Sequence, residues 1–123
     1  MKHDLGQKGE AIVVSYLKEQ GYEVLETNYR NRMGEVDIIA KEGDVWCFIE
    51  VKTRLSDYYG DGLEAITDFK QRTMTKLALS YLMENNLLDE YARFDVVAVS
   101  GNPDEAPTLE IIKNAFELTD NKW

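Results

Sequence analysis

Apolar residues recur at near-helical spacing between Asp4 and Gln20, where Ala11, Val14 and Leu17 are joined by Ile12 and Tyr16, and Gly21 offers a C-terminal stop. Tyr22 to Tyr29 reads as a strand, followed by the turn-rich Asn31-Arg32-Met33-Gly34. Two further runs, Gly34-Glu35-Val36-Asp37-Ile38-Ile39-Ala40 and Trp46-Cys47-Phe48-Ile49-Glu50-Val51-Lys52-Thr53-Arg54, are dominated by β-branched and aromatic residues. Glu42-Gly43-Asp44 supplies a tight connection, so the two form a hairpin. Leu55 to Gly62 has two glycines and no period, which predicts a loop. Thr67-Asp68-Phe69-Lys70 opens a second helix with an N-cap candidate. Its apolar stripe is Met74, Leu77, Ala78, Tyr81 and Leu82, and it runs to Asn85-Asn86. Phe94 to Val99 is a strand, Asn102 to Pro107 a loop and Leu109 to Ile112 a last strand before a polar tail. The order α-β-β-β-α-β-β predicts an α/β fold, a mixed sheet flanked by two main helices. There is no internal repeat and no low-complexity segment.

Alternation along a strand places Glu50 and Lys52 on one face and turns Ile49 and Val51 to the other, into apolar surroundings. From the neighbouring strand Asp37 can face Glu50. Two adjacent carboxylates flanked by apolar residues repel and lose hydration unless a cation joins them. A divalent metal suits the carboxylates and a lysine suits a phosphate. The ordinary alternative is a set of cross-strand ion pairs on a half-exposed sheet, each contributing only about 0–1 kcal/mol.

The pattern of Asp37 followed by Glu50-x-Lys52 resembles the signature of the PD-(D/E)xK nuclease superfamily. Gly9-Glu10, Gly21-Tyr22, Asn28-Tyr29-Arg30, Leu63-Glu64-Ala65-Ile66, Lys70-Gln71-Arg72 and Arg93-Phe94-Asp95-Val96 extend the match. Together these segments resemble the bacterial YraN-like family, itself similar to archaeal Holliday-junction resolvases, from about Gly6 to Phe116. The resemblance implies a restriction-endonuclease-like fold and metal-dependent phosphodiester hydrolysis in DNA, including branched or structured DNA. It implies Mg²⁺ or Mn²⁺ as cofactor, since both favour oxygen ligands. Asp37 and Glu50 would be metal ligands, the backbone carbonyl of Val51 a third, and Lys52 would hold the attacking water or the scissile phosphate. Glu10 matches an acidic position of the family and would reach the metal directly or through water. Glu35 shares the strand parity of Asp37 and ranks below it. Resolvases cut two strands symmetrically, which implies a homodimer, although no dimer surface stands out in the sequence.

A chain of 123 residues with 44% hydrophobic residues suits one domain, from 1 to 123, with a core over about 6–116. No apolar run approaches the roughly 20 residues of a membrane helix. Lys8, Glu10, Lys18 and Glu19 interrupt any leader-like segment, so the expected location is cytoplasmic, without membrane contact. Cys47, the single cysteine, has the parity of Ile49 and Val51 and reads as a small buried hydrophobe. There is no zinc pattern, phosphate-cradling glycine loop or serine elbow, and the sole histidine, His3, lies in a terminus prone to fraying. The net charge of −9 runs against polyanion binding. Against it stand Lys52, Arg54, Lys70, Arg72 and Lys76, which fall in one region. Arg54, Lys70, Gln71 and Arg72 are the candidate nucleic-acid contacts, and a solvated helix face is the plain alternative. Tyr58 and Tyr59 are either stacking platforms for an unpaired base or loop packing. The rival to a nuclease is a nucleic-acid-binding or scaffold protein that kept the fold without cleavage, a reading the acidic balance favours.

Overall fold

The computed structural model describes residues 6–54, 66–101 and 106–117, with the side chains of 6–8 and 54 outside the description. The loop expected over Leu55 to Gly62, with Tyr58 and Tyr59, lies outside the described residues, as do Leu63, Glu64, Ala65 and His3. The elements are α1 (Gly6–Glu19), β1 (Glu23–Asn31), β2 (Gly34–Glu42), β3 (Val45–Arg54), α2 (Asp68–Glu84), β4 (Tyr91–Ser100) and β5 (Thr108–Phe116). The expected order α-β-β-β-α-β-β is the observed one.

The strands form a five-stranded sheet in the order β1-β2-β3-β4-β5. The first three make an antiparallel meander, β4 runs parallel to β3, and β5 returns antiparallel to β4. A parallel pair cannot be closed by a tight turn, and α2 lies in the crossover between β3 and β4. The β2–β3 hairpin pairs Glu42 with Val45, so its turn is Gly43-Asp44, and Gly43 takes a left-handed φ of 61°. Asn31 closes the preceding turn by accepting the Met33 amide at 2.8 Å.

Two apolar clusters occupy the two faces of the sheet. One gathers Val36, Ile39, Phe48, Phe94 and Val96 under the α2 stripe of Met74, Leu77, Ala78, Tyr81 and Leu82, the stripe expected from helical spacing. The other sets Val13 and Leu17 of α1 over Ile38, Ala40, Cys47, Ile49, Val51 and Val97. β2, β3 and β4 are thus covered on both faces, which explains their long apolar runs. The face of α1 differs from the expected one: Val13 and Leu17 are buried, Val14 and Tyr16 half-buried, and Ala11 and Ile12 exposed. Residues four apart stack along one narrow line of a helix, so Val13 and Leu17 suffice for its contact with the sheet.

The start of α2 is held tightly. Thr67 caps it, accepting the Lys70 amide at 3.1 Å. Gly34 approaches α2 so closely that a Cβ there would meet the Thr73 methyl at 2.6 Å, and its φ of 148° would strain any other residue. This approach sets the N-terminal part of α2 against the start of β2.

Candidate metal centre

Register brings Asp37 and Glu50 together. The β2–β3 ladder runs from Glu42↔Val45 to Ile38↔Ile49, and Asp37 and Glu50 are the next residues on either strand. There the Val51 amide donates to Asp37 Oδ2 at 2.7 Å, so a side-chain carboxylate takes the place of a backbone acceptor. Asp37 is 7% exposed and Glu50 is 8% exposed. The Glu50 carboxyl is pushed up to about 7, first by burial, then by the charge of Asp37 and a hydrogen bond with it, against the opposing pull of Lys70 and Lys52. Among the described residues, the buried Glu50 Oε1 has no hydrogen-bond partner. The nearest cation recorded for it is Lys70 Nζ at 3.7 Å, outside hydrogen-bonding range. An orphaned acceptor on a buried acidic pair is costly, and a cation held by Oε1 would offset that cost. The donor set fits a hard divalent ion.

Other expected residues fall in different places. Lys52 is half-buried on the strand face of Glu50 and lowers its proton affinity through charge. Glu10 accepts from Asn28 Nδ2 at 3.2 Å. Among the described residues, no three His, Cys, Asp or Glu side chains gather as a metal-holding group, so Glu10 does not complete a compact triad with Asp37 and Glu50. Glu35 gives its carboxylate to the Arg30 guanidinium, at 2.7 and 3.1 Å. Val51 meets the pair through its amide, and its carbonyl remains a ligand only by expectation.

The helix residues expected to touch nucleic acid divide. Lys70 turns to the carboxylates, donating to the Glu35 carbonyl at 3.3 Å as well as facing Glu50. Gln71 donates to the Ile66 carbonyl at 3.0 Å and so holds the entry of its own helix. Arg72 is half-buried, and the Arg54 side chain lies outside the described residues.

A second polar cluster lies in the same sheet, and the sequence reading missed its role. Asp95, 0% exposed, accepts Tyr22 Oη at 2.8 Å, Arg93 Nε at 2.9 Å and the Asn114 amide at 2.8 Å. Arg93 also donates to Tyr22 Oη at 3.1 Å and to Glu42, which accepts Lys113 as well at 2.7 Å. Hydrogen bonds from Lys113 and Arg93 hold the Glu42 carboxyl below its usual range. Burial, aided by Asp95, raises the Tyr22 phenol. The bulge between Phe94 and Val96 and the left-handed Asn114, at φ 53°, turn a backbone amide onto Asp95. A visible signal was the pair of charges Arg93 and Asp95 at strand spacing next to an apolar run. Cys47 is buried and free, with its thiol pushed up to about 12 by burial first, which agrees with a packing role.

Fold and site together define a mixed α/β domain with a buried carboxylate pair at the end of a hairpin ladder. The chain belongs to the family described as uncharacterised protein family UPF0102, whose model matches residues 9–99. A UPF0102 protein of Geobacter metallireducens is 47% identical over 114 residues, covering 93% of each chain. One from Syntrophus aciditrophicus is 50% identical over 113 residues, covering 92% of this chain and 88% of the relative. Among solved structures, Pyrococcus furiosus SfsA in complex with Ca²⁺ is similar with a TM-score of 0.41 and 11% identity, over 89% of this chain and 62% of that one. Among the described residues no helix is long and apolar enough to cross a membrane.

Proposed function

We propose that the protein is a Mg²⁺- or Mn²⁺-dependent endonuclease-like hydrolase of phosphodiester bonds in DNA, with branched or structured DNA as the substrate implied by its likeness to resolvases, and with a homodimer as the matching assembly. The observation that carries this reading is the orphaned Glu50 Oε1, buried beside Asp37 with cations near but, among the described residues, none bonded to it. Asp37 and Glu50 would hold the ion, with the Val51 carbonyl as a further oxygen and Glu10 reaching it at most through water. A bound divalent ion supplies charge neutralisation at the phosphate and makes water a stronger nucleophile. Asp37 is oriented for this by the Val51 amide, which donates to its Oδ2 and fixes the direction of the carboxylate. Lys52, on the same strand face as Glu50, would bind a phosphate oxygen where charge develops. Arg54 and Arg72 are the remaining candidates for backbone phosphates of the substrate.

The rival reading is a binding or scaffold domain without cleavage. It is favoured by the net charge of −9 and by the lack, among the described residues, of a third grouped acidic ligand. Incubation with linear duplex, single-stranded and four-way-junction DNA, in Mn²⁺ and in chelator, separates the two. The nuclease reading expects metal-dependent cleavage that falls about 10²–10³-fold in Lys52→Ala while Mn²⁺ affinity is retained. Mn²⁺ and DNA both bound, with no cleavage of any of the three, would favour the rival.

A further inference from the structure

The first turn of α2 delivers a lysine to the carboxylate pair. Thr67 caps that turn, Gln71 bonds back to Ile66, and one turn on the close approach of Gly34 to Thr73 sets the helix against β2. Lys70 Nζ then lies 3.3 Å from the Glu35 carbonyl oxygen and 3.7 Å from Glu50 Oε1. The first contact is a hydrogen bond that holds the ammonium in place. The second is charge compensation without a bond, since Oε1 has no hydrogen-bond partner. Of the two lysines near Glu50, Lys70 acts on it more strongly than Lys52 does. A buried acidic pair is thus partly neutralised by a cation that does not satisfy its acceptor.

We infer that Lys70 is the resident counter-cation of the ion-free pair, giving way when a divalent ion enters, and that it thereby sets the affinity of the site for metal. The inference rests on the metal-site reading above. An ion coordinated by Oε1 sits roughly 2 Å from that oxygen, inside the 3.7 Å now separating it from the ammonium. Two cations at such a separation in poorly hydrated surroundings repel strongly. The Lys70 side chain is 29% exposed, so its unbranched stem has a route to solvent. A displaced Lys70 remains beside the site and is available to a substrate phosphate, which reconciles its present inward position with the phosphate contact its sequence position suggests. Lys70 is therefore a positioning residue rather than a metal ligand.

Calorimetric titration of the metal-free full chain with Mn²⁺ tests this in wild type, Lys70→Met, Lys70→Gln, Lys70→Arg, Lys52→Met and Asp37→Asn. Loss of the charge in Lys70→Met should tighten Mn²⁺ binding roughly tenfold or more, whereas Lys70→Arg should stay within about twofold of wild type. Lys70→Gln, which keeps a donor for the Glu35 carbonyl, should tighten binding in the same sense, and serves if Lys70→Met folds poorly. Lys52→Met should tighten it less than Lys70→Met, and Asp37→Asn should abolish it. A merely structural lysine would not raise affinity on removal. Unchanged or weaker binding in both neutral Lys70 variants, with Asp37→Asn still abolishing it, overturns the role of Lys70 and leaves the metal site standing. Absence of binding in every variant, or binding indifferent to Asp37→Asn, overturns the metal site and this inference with it.

Discussion

Asp95 and Glu50 are both buried carboxylates in the interior of one sheet, and their surroundings are opposite. Asp95 accepts from a phenol, a guanidinium and a backbone amide, and the guanidinium is itself shared with Glu42, which Lys113 also reaches. Glu50 faces a like charge, has one oxygen without a hydrogen-bond partner, and has its nearest recorded ammonium too far away to bond. The same residue chemistry thus serves two ends. A network that closes its valences is what a structural charge cluster requires, because buried charges are tolerated when paired and hydrogen-bonded. An acceptor left open, as Glu50 Oε1 is among the described residues, carries a standing cost that a bound ligand would relieve. The asymmetry between the clusters, rather than either alone, marks Asp37 and Glu50 as the candidate site.

The largest effect should come from opening the closed cluster. Asp95→Ala strands the Tyr22 hydroxyl, the Asn114 amide and the inner side of Arg93 together. We expect a loss of about 3–5 kcal/mol in urea denaturation, the range for breaking a buried ion pair by removing one partner. A loss below about 1 kcal/mol, as for an exposed ion pair, would remove the contrast between the clusters.

The next effect is opposite in sign. Glu50 has its folded-state carboxyl raised from 4.5 to about 7 by burial and Asp37, so between these values the native protein holds a proton that the unfolded chain has released. Stability rises with pH only where the unfolded state binds more protons, so this group makes the metal-free protein less stable as pH climbs from about 4.5 to about 7. Above that window the loss is complete and flat. Glu50→Gln should remove it, so that its advantage over wild type grows by about 2 kcal/mol across the window in chelator. A difference that stays constant with pH would mean that Asp37 and Glu50 are not held as a strained pair.

Glu42 gives the smallest effect and the reverse slope. Its carboxyl is lowered by hydrogen bonds from Lys113 and then Arg93, so its contribution is present above the unfolded value and disappears as pH falls through the folded one. Glu42→Gln should therefore flatten the acid limb of the stability curve and leave the limb above pH 5 unchanged, with a change of about 1 kcal/mol or less. Equal slopes for the Glu42 and Glu50 variants would show that the two clusters do not differ as the structure has it.

Much of this was legible in the chain. Alternation along β2 and β3 sufficed to pair Asp37 with Glu50, because side-chain direction in a strand follows from position alone, and the helical stripe of α2 was readable in the same way. Lys70 was not, since its approach to Glu50 depends on how closely Gly34 lets α2 settle on β2, a tertiary distance with no local periodicity. The bond from Gln71 back to the Ile66 carbonyl was not legible either, because a polar residue near a helix start does not show in sequence which backbone group it meets. Tyr22 and Asp95 are brought together by a bulge and a left-handed asparagine that no strand pattern announces.

The central claim is that the open carboxylate pair is a metal seat. Anomalous diffraction from a crystal soaked in about millimolar Mn²⁺ tests it most directly, since Mn²⁺ takes the oxygen ligands of such a site. The account predicts a peak between Asp37 and Glu50 on the side of Oε1, absent from Asp37→Asn crystals. No peak there, with both side chains ordered and clear of neighbouring molecules, would contradict it.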